Sequence, residues 1–175
     1  EKLTDLPDDD TLKVMAIAIF NTISQPVEEK HYAFSGASEK TIESLNTPFR
    51  SVFPLYQNSA ALQADFFVKK SFQNTALEEL KEVQDQLVVL NLSKMPVTDN
   101  DLATVGNFKN LEKLNLNFTE IKGTGLSSIV SLKNLTSLSL AGTDVKMHDV
   151  KSVMELPLLS ELFIWNTKIT EEEKQ

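Results

Sequence analysis

Few side chains in this sequence could do chemistry, and they are scattered. Asp8-Asp9-Asp10 offers three carboxylates, the ligand type that a hard cation such as calcium takes. The three are consecutive, without the alternating acids and the glycine of a calcium loop, and Thr11 follows them. That order reads as the acidic start of a helix. His31 and His148 each stand alone, where zinc needs several ligands together. Gly123-Thr124-Gly125 is too brief to cradle a phosphate, and no nucleophile elbow, zinc-protease, P-loop or dinucleotide motif occurs. Asn91, Asn117 and Asn134 open glycosylation-type triplets, two of them inside expected strands, and read as incidental. What remains is chemistry of contact: Phe163 and Trp165, Phe118 beside them, and the polar Lys113, Asn115 and Asn117. No catalytic residue, metal site or cofactor is expected, and the chain is not read as an enzyme.

A repeat must position those contacts. Leu87-Val88-Val89-Leu90-Asn91-Leu92 has counterparts that open at Leu111, Leu135 and Leu159, always 24 residues on. Val97, Ile121, Val145 and Ile169 form a second column, and Leu102, Leu126 and Val150 a third. Val105, Ile129 and Val153 form a fourth, and Phe108, Leu132 and Leu156 a fifth. This is the leucine-rich-repeat pattern. Burying an apolar side chain is worth ~1.5–3 kcal/mol, whereas ordering each residue costs on the order of 1–2 kcal/mol. One row therefore cannot stand by itself and must lie against the next. The expected fold is an α/β solenoid with a concave parallel sheet, short convex helices and an N-terminal helical cap.

The alternation in each row sends positions three, five and seven outward from the sheet. They are Val89, Asn91 and Ser93, then Lys113, Asn115 and Asn117, then Ser137, Ser139 and Ala141, and finally Glu161, Phe163 and Trp165. The first three rows are small and polar, and the last turns aromatic, with the chain's only tryptophan. Phe163 and Trp165 are read either as part of a partner or self-association surface or as protection for the open end of the sheet. Position nine holds Met95, Thr119, Thr143 and Thr167, and a hydroxyl there can satisfy backbone groups that the turn leaves unpaired. Convex helices are expected over 99–107, 123–131 and 147–155.

Upstream the pattern decays. Residues 1–38 read as a helical cap and loop, with an almost wholly apolar helix over 11–24 that Pro26 ends. That helix either closes the first rung or docks onto another domain. Residues 39–86 read as two degenerate repeats, the first with a helix over 38–47 and a strand over 50–56. In the second, Leu62/Ala64/Phe66/Val68 is favoured as the inward set over Leu62/Asp65/Phe67/Phe72. Residues 87–175 are the regular rows and tail.

The formal net charge of −8 and the lack of any basic stripe argue against a nucleic-acid partner. With no cysteine, disulfides and thiolate metal sites are ruled out. No apolar run is long enough to span a membrane. The start at Glu1 suggests a piece of a longer or processed protein.

Three rows share a narrower phrase, Leu-x-Leu-x-x-Thr-x-Ile/Val, at Leu114–Ile121, Leu138–Val145 and Leu162–Ile169. Over roughly residues 40–170 this resembles the C-terminal repeat region of envelope proteins from Bacteroidetes and Planctomycetes. The resemblance implies a bacterial envelope protein with its repeats facing the periplasm. Such proteins commonly carry a c-type cytochrome-like domain ahead of the repeats. No Cys-x-x-Cys-His occurs here, so no haem site carries over. The expected function is a non-enzymatic module that holds a protein partner or a neighbouring domain. The alternative is an accessory domain of an electron-transfer protein whose haem domain lies outside this chain.

Overall fold

The computed structural model describes residues 30–170 and Glu173. The chain divides into two compact units, Glu1–His31 and Tyr32–Gln175, and the second is described here. The expected helix over 11–24 and the Asp8-Asp9-Asp10 turn lie outside the described residues.

Helix α1 (Glu39–Leu45) starts where Ser38 accepts the Thr41 N–H at 3.1 Å, a side-chain cap for an otherwise unpaired donor. Six strands follow: β1 (Arg50–Pro54), β2 (Leu62–Phe66), β3 (Leu87–Asn91), β4 (Lys113–Asn115), β5 (Ser137–Ser139) and β6 (Glu161–Phe163). They form one sheet in sequence order. From β2 onward every pairing is parallel, and Leu90, Leu114, Leu138 and Leu162 are successive partners, each 24 residues after the last. The backbone ladder continues past the strands, through Leu92 to Asn115, Leu116 to Ser139 and Leu140 to Phe163 at 2.8–2.9 Å.

The leucine columns make the core. Leu90, Leu138, Leu92, Leu116 and Leu140 are fully buried and Leu114 nearly so. Burial fades in the last row, where Leu159, Leu162 and Ile164 are only half-buried because no further described row covers them. In β2, Leu62, Ala64 and Phe66 point inward, the favoured alternation, and a bulge between Leu62 and Gln63 absorbs the irregular spacing before β3.

Residues 39–61 differ from the expected degenerate rung. β1 runs antiparallel to β2, pairing Arg50 with Phe66 and Pro54 with Leu62. The connecting turn contains Asn58 at φ 64°, left-handed backbone that asparagine tolerates. The segment is thus a helix plus hairpin that ends the sheet.

The returns are shorter than expected. They are α2 (Thr75–Glu79) with a 3₁₀ extension over Leu80–Val83, and a 3₁₀ turn Asp99–Asp101 leading into α3 (Leu102–Val105). Next come a 3₁₀ segment Thr124–Ile129 and then α4 (Met147–Met154). Gly123, Gly125, Ser127 and Ser128 are poor helix formers, which suits the 3₁₀ segment.

Carboxylates open these returns. Asp101 accepts the Thr98 N–H at 2.7 Å, and Asp149 accepts the Lys146 N–H at 2.8 Å. Glu173 does the same for Thr170 at 2.9 Å. Gly125 stands in that place in the row between, and Asp99 of the preceding row supplies the missing carboxylate. It accepts from the N–H groups of Lys122, Gly123 and Gly125 at 2.7–3.0 Å. A Cβ on Gly125 would meet the Asp99 backbone at 2.3 Å. Gly123-Thr124-Gly125 is therefore an anion nest already filled from within the fold.

Candidate interaction surface

The parallel register lays the outward side chains in straight files across the sheet. One file runs Gln63, Val89, Lys113, Ser137 and Glu161, and the next Asp65, Asn91, Asn115, Ser139 and Phe163. A third continues beyond the strand ends as Asn117, Ala141 and Trp165, held by Lys94 to Asn117, Phe118 to Ala141 and Gly142 to Trp165 backbone bonds of 2.8–3.0 Å. All of these but Asp65, Ala141 and Glu161 line a shallow hollow of about 450 Å³. Of the sequence candidates, Lys113, Asn115, Asn117, Phe163 and Trp165 all line it. Phe118 does not, but its ring meets Trp165 edge to face, centroids 5.5 Å apart. Ala141, expected to face outward, is fully buried.

The asparagines are held by one end. Asn91 Oδ1 accepts the Ser93 N–H at 3.1 Å, and Asn115 Oδ1 accepts the Asn117 N–H at 3.0 Å. Asn117 Oδ1 takes the Ala141 N–H at 2.8 Å and the Ser139 hydroxyl at 2.6 Å. A backbone N–H can only donate, so the oxygen of each amide must face the sheet. Each Nδ2 is left without a partner among the described residues, two donors apiece.

The aromatic end is built on a left-handed column. Lys94, Phe118, Gly142 and Asn166, at the same place in four rows, all have φ between 53° and 70°. For Phe118 this conformation costs about 1 kcal/mol. Its ring lies over Gly142, where an added Cβ would meet it at 2.3 Å, and from there reaches Trp165. Gly142 is thus required for the space above it, since other residues adopt the same backbone at this place in neighbouring rows. Phe163 and Trp165 remain 46% and 56% exposed, enough for a ligand to reach them.

No family model matches this chain, and no curated protein matches it. Among solved structures it is similar to an internalin from Listeria monocytogenes. That likeness has 25% identity and a TM-score of 0.47, over 54% of this chain and 26% of the other. This chain therefore spans about a quarter of that protein's length. The repeat architecture rests on the register and burial above.

The electrostatics around the hollow are sparse. Lys113 is the single charged residue lining it, and it enters no ion pair among the described residues. Asp65, nearby, has both carboxylate oxygens taken by Gln63 Nε2 at 2.9–3.0 Å. At the start of β4, Tyr32 has its phenol pushed up to about 12, first by burial, then by the Glu112 carboxylate, to which it is hydrogen-bonded, and by Tyr56. No cluster of metal-ligating side chains occurs among the described residues, and the exposed His148 contacts Asp149 at 3.0 Å. No helix among the described residues is long and apolar enough to cross a membrane.

Sequence reasoning found the outward residues but missed the pinned amides, the Phe118 ring over Gly142, and Arg50. The signal for Arg50 was available: it is the only arginine in the chain.

Proposed function

We propose that this chain is a non-catalytic protein-binding module, built on 24-residue leucine-rich rows, and that it works in a bacterial cell envelope. The observation that carries the reading is the hollow. A rigid sheet holds oriented, unengaged amide donors beside exposed aromatic side chains, an arrangement suited to gripping another chain. The Asp99 nest and the Thr119 and Thr143 hydroxyls are occupied internally, whereas the amide donors of this face are not. The envelope setting is supported by the shared Thr-containing turn phrase of rows two to four.

The test is capture from envelope extract by immobilised wild type, compared with the double variant Phe163→Ala, Trp165→Ala and with a convex-face control, Lys133→Ala. The expected result is one or more proteins retained by wild type and the control and lost with the double variant. Equal capture by all three would overturn the assignment of this face.

A further inference from the structure

Resting on that reading, the geometry points to a specific partner chemistry: we propose that the hollow binds an extended peptide segment carrying an aspartate or glutamate next to a large apolar side chain. The central residues Lys113, Asn115 and Asn117 offer an ammonium group and two outward amide Nδ2 groups, all donors. Asn91 adds a third amide in the same file as Asn115. Among the described residues that line the hollow Lys113 is the charged one, a cation in a chain of net charge −8. The flanking acids, Asp65 on β2 and Glu161 on β6, each stand two strands away from Lys113.

A surface made of donors selects a ligand made of acceptors. Main-chain carbonyls supply some, and a carboxylate supplies the counter-charge that Lys113 lacks among the described residues. Carboxylates accept such charge-assisted hydrogen bonds at roughly twice the strength of neutral ones. Phe163 and Trp165, at the other side of the hollow, give an apolar neighbour somewhere to rest. Trp165 is held by the edge-to-face Phe118 ring, so little side-chain freedom is lost when a ligand settles on it.

Trp165 is also the reporter, because it is the only tryptophan. The full chain is used to select from a random peptide library, and enriched peptides without tryptophan are synthesised with blocked ends. Each is titrated by the change in Trp165 emission. The expected result is enrichment of acid next to aromatic or large aliphatic residues. Replacing that acid by its amide should weaken binding about tenfold, and Lys113→Met should do the same. The two losses should not add, because they remove one contact. Lys113→Arg should restore most of the affinity, and unchanged thermal melting of Lys113→Met would show that the fold is intact. Trp165-dependent binders that carry no acid and ignore Lys113 would overturn the carboxylate assignment and leave the protein-binding reading standing. If no enriched peptide senses Lys113 or Trp165, both fall.

Discussion

The two ends of the sheet are finished in opposite ways. At the N-terminal end, the outward backbone groups of Arg50 and Val52 in β1 are met. Arg50 exchanges N–H and C=O with Thr47 at 3.4 and 2.9 Å. Val52 is met by the Asn46 side chain, whose Oδ1 takes its N–H at 2.8 Å and whose Nδ2 donates to its C=O at 3.0 Å. Pro54 has no N–H to offer. At the C-terminal end, Glu161 and Phe163 of β6 bond back to the β5 row, and Leu162 faces no further strand among the described residues. Met154 and Leu158 stand more than half exposed beside it. One side-chain amide thus imitates a strand and closes an edge that a sheet otherwise leaves sticky. The same residue type, used on the concave face with its oxygen pinned, leaves its donors free.

The largest effect should come from the closed end. Arg50 is buried, with Nε donating to the Leu45 carbonyl and Nη1 to the Ala76 carbonyl, both at 2.7 Å. Its Nη2 reaches the exposed Glu79 carboxylate at 2.9 Å, and the guanidinium lies 5.7 Å from the Phe66 ring centroid. Arg50→Ala would orphan two carbonyls and leave a cavity, for an expected loss of about 3–5 kcal/mol by urea denaturation. A smaller loss with Arg50→Lys would show that the planar fork matters. If Arg50→Ala cost under ~1 kcal/mol, the hairpin would not be anchored this way.

The same end is tested by Asn46→Ala. It unpairs both polar groups of Val52, for an expected cost of about 1–3 kcal/mol, and reopens the β1 edge. Sedimentation should then show stronger concentration-dependent association than wild type. Stability loss without association would mean that Asn46 serves the local fold and not the edge.

Leucine truncation compares the ends through the core itself. Leu138→Ala, fully buried between two rows, should cost about 2–5 kcal/mol, whereas Leu162→Ala, half-buried in the last row, should cost about 1 kcal/mol. Equal costs would mean that the last rung is covered as well as the third.

The sequence makes one end far easier to read than the other. Leu87, Leu111, Leu135 and Leu159 repeat because every interior rung faces the same neighbour, so the same residues solve the same packing problem. The concave files follow from alternation, which is how Lys113, Asn115, Asn117, Phe163 and Trp165 were located before any fold was in view. Thr119 and Thr143 were legible for the same reason, and their hydroxyls donate to the Leu116 and Leu140 carbonyls at 2.7 and 2.6 Å. The hairpin was not legible, because an end is built only once and has no second copy to compare. Arg50 finds its acceptors in Leu45 and Ala76, far apart in a chain with no pattern linking them. Amide orientation was equally hidden: whether an asparagine offers oxygen or nitrogen to a ligand is decided by the backbone N–H beneath it.

The smallest effect separates the ends by pH. Tyr32 lies on the N-terminal side, and its phenol is raised from 10.0 to about 12 by burial, with the Glu112 charge and Tyr56 adding to it. The folded state therefore favours the protonated phenol. Its contribution to stability is complete below pH 10 and is lost as pH rises from 10 towards 12, when the unfolded chain releases the proton first. Tyr32 is only partly buried, so solvent screens much of the effect and the loss should be slight. At the other end, Glu173 is lowered by its bonds with Thr170, so any stability it lends is present above the ordinary carboxylate range and lost in acid. Alkali should thus loosen one end and acid the other. In a Tyr56→Phe background, phenolate absorbance reports Tyr32 alone, since the chain has two tyrosines. Titration near 10 would place the ring in open water and remove the link to Glu112. Titration well above 10, falling back on Glu112→Gln, would show that this segment is held against the second rung by that hydrogen bond.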